Sequence, residues 1–358
     1  MKNTKALSHI RQLCNLGVES HSVMPAVMQA LHTLIPSSHN VFIWTNPQGQ
    51  PADRYCEVYS PVVQHAYAQN LAGMPDLVAL ARDGKPVGNM QHRAPEFYAS
   101  PYYNEVHRPM RARRSLDAVV RTASGTQGVL VLHRDSDAAF TEAEAQELEG
   151  ILPYLRNIWT LPSNHSSDIF AETAGHGTII CDGMGRVHGR STSASQMLLM
   201  AQTQGVLSKP TTPADLPIEL MAIVHRLVDL RASDPLGSVP ALQVRNRWGQ
   251  FVFRAMWLDG MVESATPSDS SDALVSISVW RQEPLAVSVV RGFQDSPLSP
   301  KQRDVALRLV VGRSAEEIVT ELCITPTTYK DHLRKIYEKL GISKRADLIR
   351  QLTQPALV

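Results

Sequence analysis

Apolar residues recur with a helical period over the first 35 positions. Leu7, Ile10 and Leu13 share one stripe, and Val23, Val27, Ala30, Leu31 and Leu34 a second. This spacing predicts two helices, broken at Gly17 and closed at Ile35-Pro36. The period then shortens. Residues 41–45 (VFIWT) read as a strand, 46–50 (NPQGQ) as a turn, and 53–59 as a strand that pairs back. A helical pattern returns over 61–81. Residues 95–106 are rich in aromatics, with Phe97, Tyr98, Tyr102 and Tyr103 around Pro101. The clearest hairpin of this half joins 116–122 to 129–133 through a polar loop. Thr141 and Glu144 then have the spacing of a capping box, in which each side chain bonds the other's backbone N–H. The helix it opens carries Leu148, Ile151, Leu152, Leu155, Ile158 and Trp159, and Pro153 predicts a kink in it. The polar run 160–168 is the best boundary.

The second half begins with a hairpin over 177–190 whose turn is Asp182-Gly-Met-Gly185. A helix with Ala194, Met197, Leu198 and Met200 follows, then a loop over 202–216 and a helix over 217–230. Residues 241–247 and 251–258 flank Trp248-Gly-Gln250 as a second hairpin, and 273–280 alternate as a strand. The polar stretch 264–272 reads as a mobile loop between strands, and 283–297 as a connection. Neither an internal repeat nor a sustained heptad pattern is visible.

From Leu298 the pattern is helical to Leu352. Ser299, Ser314, Thr325 and Ser343 stand at helix starts, with Pro300 and Pro326 at first helical positions, and Gly312 and Gly341 stand at helix ends. The third helix places Tyr329, Leu333, Ile336 and Leu340 on one face. Thr327, Lys330, Asp331, Arg334 and Glu338 fall on the other.

Charge sharpens this picture. The chain of 358 residues has a formal net charge of +1. Residues 297–358 contain eleven Lys/Arg and seven Asp/Glu, so this segment is +4 and the remainder −3. Any polyanion site is therefore local to the C-terminal end. Cys14, Cys56, Cys181 and Cys323 fit no C-x-x-C spacing, which predicts free thiols rather than metal ligands or disulfides. The histidines show no metal-binding spacing. No phosphate loop or nucleophile elbow is visible before residue 290, and no run approaches the ~18 apolar residues of a membrane span. The expectations are a non-enzyme without catalytic residues, cofactor or metal, located in the cytoplasm.

Three resemblances follow from these residues. Leu298-Ser-Pro300, Arg303-Asp-Val305, Gly312, Glu317-Ile318, Leu322, Ile324-Thr325, Thr328, Lys330, His332, Ile336, Lys339-Leu-Gly341 and Arg345 resemble the LuxR-type helix-turn-helix of bacterial transcription regulators. Gln302 stands where that family usually has an acidic residue, and Val319 where it has alanine. The order of helices, antiparallel strands, Phe140-Thr-Glu142 and a long helix resembles a GAF domain. The Asp182-Gly-Met-Gly-Arg-Val187 hairpin and the small-residue helix after it resemble a PAS domain, with Ser191 or Ser193 where asparagine is usual. Together they imply an α+β chain: a GAF-like sensor at 1–160, a PAS-like sensor at 169–283, and an all-α four-helix LuxR-type domain at 296–358.

The implied function is transcription regulation through operator DNA. The candidate DNA-contacting residues are Thr325, Thr327, Thr328, Lys330, Asp331, Arg334, Lys335 and Lys339. Thr328, Lys330, Lys335 and Lys339 suit phosphate oxygens, whereas Thr327, Asp331 and Arg334 suit base edges in the major groove. Leu348, Ile349 and Leu352 on the fourth helix are the candidate seam of a homodimer, since paired half-sites are read by two-fold proteins. Double-stranded DNA, a second copy, a small-molecule effector of the N-terminal domains and RNA polymerase are the candidate partners. The competing readings are a sigma-factor-like module contacting promoter and polymerase, and an enzyme with an appended DNA-binding domain.

Overall fold

The computed structural model describes residues 2–70, 86–89, 95–162, 169–210, 212, 214–233, 238–258, 273–294 and 296–353. The chain is α+β and forms two compact units. One comprises Met1–Ile169 with Leu285–Gln354, and the other Phe170–Pro284. The end of the helix expected over 61–81, most of the run 160–168 and the loop expected at 264–272 lie outside the described residues.

In the first unit, α1 (Lys2–Cys14) and α2 (Ser20–Leu34) precede the hairpin of β1 (His39–Thr45) and β2 (Pro51–Cys56). After α3 (Pro61–Asn70) come a short strand β3 (Val87–Asn89), α4 (Pro95–Ala99) and a π-helical turn at Tyr103–His107. The long hairpin is β4 (Arg114–Thr122) and β5 (Gly125–Arg134), and α5 (Glu142–Thr160) follows. Thr141 and Glu144 form the expected capping box. Helix α5 continues through Pro153, whose ring is on the exposed side. The five strands make one antiparallel sheet in the order β2-β1-β5-β4-β3.

Strand alternation gives this sheet two faces. Phe42, Trp44, Leu116, Ala118, Leu130 and Leu132 are buried on one. There Phe42 stacks on Trp159 of α5 at 5.9 Å, and Trp44 stacks on His21 of α2 at 4.0 Å. The Trp44 indole N–H donates to Ser20 Oγ at 3.0 Å, which satisfies its buried polar end. The second face holds Val41, Ile43, Val119, Val129 and Val131 against Val63 and Ala66 of α3 and Val106. It becomes polar at one end. His39, His133 and Ser115 pair across three strands, with the His39 and His133 rings 4.8 Å apart and His107 at 5.4 Å from His133. Burial lowers the pKa of His39 below the ordinary imidazole range.

The second unit is built on β6 (Phe170–Asp182), β7 (Val187–Arg190), α6 (Thr192–Ala201), α7 (Ile218–Ser233), β8 (Ala241–Asn246), β9 (Gly249–Trp257) and β10 (Leu274–Pro284). Its antiparallel sheet runs β7-β6-β10-β9-β8. Counted within each unit, the two sheets share one strand order: second, first, fifth, fourth, third. The Asp182 turn closes as expected, with Oδ1 accepting from Met184 N–H at 3.0 Å and Arg186 N–H at 2.9 Å. Gly177 lets α6 lie directly on β6, since a Cβ there would sit 2.4 Å from the Ala194 nitrogen. Trp248 is buried and donates to Thr203 Oγ1 at 3.1 Å, while its carbonyl accepts from Arg281 Nε at 2.9 Å.

Back in the first unit, residues expected to be a plain connection form α8 (Leu285–Gly292). Its valines at 287, 289 and 290 favour extended chain in isolation, but all three are buried, and packing decides. Helix α8 lies against α1, α2, α9 (Pro300–Val310) and α12 (Arg345–Thr353). The last two helices, α10 (Ala315–Glu321) and α11 (Pro326–Leu340), complete the C-terminal set of four.

Two outcomes test this packing. Gly128 sits opposite Trp44 in the sheet, and a Cβ there would lie 2.5 Å from the Ile43 carbonyl oxygen and 2.6 Å from the Phe42 ring. Gly128→Ala is expected to destabilise the chain by about 1–3 kcal/mol, the usual cost of overpacking, measured by urea unfolding. The second concerns His32, whose Nε2 lies 2.8 Å from Glu57 Oε2. The hydrogen bond to Glu57 raises its pKa above 6.5. The stabilisation is thus complete below the unfolded imidazole's pKa and is lost as pH rises through the raised folded value. The wild-type advantage over His32→Leu should shrink between mildly acidic and mildly alkaline buffer, and a constant advantage would rule the linkage out.

Candidate nucleic-acid interface

The C-terminal helices are held at their ends by side chains that satisfy orphan backbone groups. Ser299 and Gln302 form a reciprocal capping box on α9, and Ser314 and Glu317 one on α10. Thr325 Oγ1 accepts from Thr328 N–H at 3.1 Å at the start of α11. Gly341, in the left-handed region, ends α11. Cys323 adopts φ +50° in the α10–α11 turn, a conformation that usually costs a non-glycine residue about 1–2 kcal/mol. The turn is held by Cys323 N–H to Thr320 O at 3.2 Å and Ile324 N–H to Val319 O at 3.1 Å. Val305, Ala306, Leu309, Ile318, Tyr329 and Ile336 fill the core between the helices. Arg303, a basic residue by sequence, is buried, and its guanidinium donates to the Leu298 and Ser296 carbonyls at 3.1 and 3.3 Å.

This packing leaves one side of α11 to solvent. Thr325, Thr327, Thr328 and Lys330 are exposed along its first turns. Asp331, Arg334 and Lys335 continue the same side as a chain of ion pairs. Asp331 lies 2.7 Å from Lys335 and 3.0 Å from Arg334, and Arg334 lies 2.6 Å from Glu338. Hydrogen bonds from Lys335 and Arg334 hold the Asp331 carboxyl below its usual range, and those to Asp331 and Glu338 raise Arg334. The face is preorganised and charge-balanced along its middle, with Lys330 ahead of the network.

Lys339 is placed differently from the other candidates. Its Nζ donates to the Pro297 carbonyl at 3.1 Å and to Gln302 Oε1 at 3.0 Å. It ties the end of α11 to the start of α9. Gln302 Oε1 also accepts from Ser299 N–H at 2.9 Å, so one amide oxygen serves both cap and latch. The Ser299-x-x-Gln302 spacing announces the cap; no sequence signal announces Lys339. Leu348 and Leu352, expected at a dimer seam, are buried within the chain, and Ile349 is half-buried. Helix α12 packs along α8 so closely that a Cβ on Gly292 would lie 2.3 Å from the Leu352 carbonyl oxygen.

Comparison with known proteins agrees with this geometry. Residues 296–352 match the family model described as bacterial regulatory proteins, luxR family. The chain therefore carries a LuxR-family domain at its C-terminal end. Over 61 residues it is 38% identical to a protein named probable transcriptional regulatory protein NarL of Mycobacterium tuberculosis, covering 17% of this chain and 28% of that one. Over 68 residues it is 37% identical to the transcriptional regulatory protein UhpA of Escherichia coli, covering 19% and 34%. The chain thus spans about a third or less of the length of these relatives. A solved sensor region of a sensor histidine kinase aligns over 72% of the chain at 16% identity with a TM-score of 0.20, too low to define a shared fold. Among the described residues, no helix is long and apolar enough to cross a membrane, and no cluster of side chains is arranged to hold a metal.

The Lys339 latch has a testable consequence. A carboxylate at position 302 would keep the cap, face the helix N-terminus favourably and turn the latch into an ion pair. Gln302→Glu is expected to stabilise the chain by about 1 kcal/mol in denaturant melts. Lys339→Met should lower stability and reduce the gain from Gln302→Glu in the double variant; additive effects would show that the two do not interact.

Proposed function

We propose that this chain is a DNA-binding transcription regulator in which N-terminal sensor modules control a C-terminal LuxR-type helix-turn-helix. The observation that carries it is the exposed side of α11: a capped helix behind a tight turn, buried on one face through Tyr329 and Ile336 and presenting Thr327, Lys330, Asp331 and Arg334 on the other. That is the form of a helix laid in a major groove. The names of the relatives, both transcriptional regulatory proteins, favour the same reading.

In this reading Thr325, Thr328, Lys330 and Lys335 contact phosphates, and Thr327, Asp331 and Arg334 reach base edges. Lys339 acts on DNA only through the latch to Gln302 and Pro297. The two five-stranded sheets are read as a GAF-like unit within 1–160 and a PAS-like unit within 169–283, followed by the DNA-binding domain at 296–358. The polar row of His39, Ser115 and His133 amid valines supports recognition of a small effector in the first sheet. A homodimer is the working assembly on a two-fold operator. Its seam includes Leu348 and Leu352 only if α12 leaves α8, because both side chains are covered here. RNA polymerase is the further partner, and the cytoplasm the place of action.

The test is selection of a preferred sequence from random duplex DNA by the full chain, followed by two variants. Arg334→Ala should reduce affinity for the selected site on the order of tenfold or more while hardly changing affinity for random DNA. Lys330→Ala should weaken both alike and lower the salt slope by roughly one unit. Equal losses on both DNAs for Arg334→Ala would remove its base-reading role, and the absence of any duplex binding would remove the function.

A further inference from the structure

Within the first unit a cleft of about 430 Å³ opens between α1 on one wall and α9, with the arginine-bearing turn after it, on the other. That is the size of a small-ligand pocket, typically about 300–1,000 Å³. Two carboxylates line it, in different states. Glu321 is neutralised by Arg308 Nε at 2.8 Å and Arg313 Nε at 3.2 Å. Asp304 accepts a hydrogen bond from the Gln12 side chain, and burial drives its carboxyl pKa up against the pull of Arg308 and Arg11. Arg308 donates to the main-chain carbonyl of Asp304 at 3.1 Å, not to its carboxylate.

The facing wall offers the opposite charge. Arg11 is exposed on α1 and lines the same cleft. Its guanidinium lies 5.8 Å over the Tyr154 ring and attracts the Asp304 carboxyl electrostatically. The cleft therefore sets a carboxylate on the α9 wall against a guanidinium on the α1 wall. Leu307 and Leu322 add apolar surface to the same space. A ligand that suits both walls carries a cationic donor and an anionic acceptor on one small body.

We propose that this cleft binds a small zwitterion of the α-amino-acid class, its ammonium on the Asp304 carboxylate and its carboxylate on the Arg11 guanidinium. The bound molecule bridges the first helix of the chain and the first helix of the LuxR-type domain. This site is separate from the inner face of the first sheet, and its occupancy is measured without DNA.

The experiment is a thermal-shift and calorimetric titration of the full chain with glycine, L-leucine, L-arginine and L-glutamate. Acetate and ethylamine serve as single-charge controls. At least one amino acid should raise the melting temperature saturably, as a ligand of the folded state must, and neither control should do so at the same concentration. Asp304→Asn and Arg11→Gln should each weaken that binding at least tenfold, with circular dichroism of the free protein unchanged. Arg11 is exposed, so its variant carries the test if Asp304→Asn folds poorly. No shift with any of the four overturns the proposal. So does a shift that survives both substitutions, which places the amino acid elsewhere, or an equal shift with acetate, which reduces the cleft to an anion site.

Discussion

The close approach of α8 to α12 at Gly292 is the constraint on which the first unit depends. Only a residue without a Cβ lets the two backbones meet there, because any side chain would collide with the Leu352 carbonyl. Through that contact an eight-residue helix joins α1 and α2 on one side to α9 and α12 on the other. The DNA-binding-type helices are thus seated by a segment that lies after the second unit in sequence and against the first unit in space. Burial of Leu348 and Leu352 is the direct result. The same arrangement sets α1 opposite α9 and so creates the cleft between them.

How far the sequence foretold the fold follows from which forces act locally. The C-terminal helices were legible almost to the residue, because Ser299, Ser314, Thr325 and Gly341 act through hydrogen bonds and dihedrals within one turn. The hairpins around Asp182 and at 114–134 were legible for the same reason. Helix α8 was not. Its run of valines carries an extended-chain preference that only burial against four other helices overrides. The short strand β3 is not legible in the sequence, because three residues, Val87–Asn89, carry no readable period, and their partner Leu116–Ala118 lies far along the chain. The common strand order of the two sheets left no trace as a sequence repeat. Strand order is set by which faces must be buried, and many sequences satisfy the same alternation.

The candidate interface divides in the same way. Which residues of α11 face out is a matter of period, and the period alone puts Thr327, Lys330, Asp331 and Arg334 on the outer side. What each does within the folded chain depends on neighbours the period does not report. Lys339 lies on the same helix as Lys330 and Lys335, yet its ammonium is engaged by Pro297 and Gln302, some forty residues earlier. Arg303 looks like one more surface cation in the sequence and is buried as a clamp on two carbonyls. The basic excess of this segment therefore overstates the charge available to a polyanion: of its eleven Lys/Arg, Arg303 is buried and Lys339, though exposed, is hydrogen-bonded within the domain.

The ion pairs along α11 then determine what binding would require. Asp331, Arg334, Lys335 and Glu338 compensate one another at exposed positions, where water and salt screen each pair and the net contribution to stability is small. Breaking such a pair to meet a phosphate or a base edge is therefore cheap. Its presence in the free protein holds the long side chains in an ordered row and reduces the entropy lost when a partner orders them. Asp331 gives the row a second property. A carboxylate held in its charged form repels phosphate and accepts from an exocyclic amine. On the proposed reading, the lysines beside it would attract any nucleic acid, whereas Asp331 would be tolerated only where a donor lies opposite. The sign of one side chain in the middle of this helix would then be the feature of the face best suited to telling one DNA sequence from another.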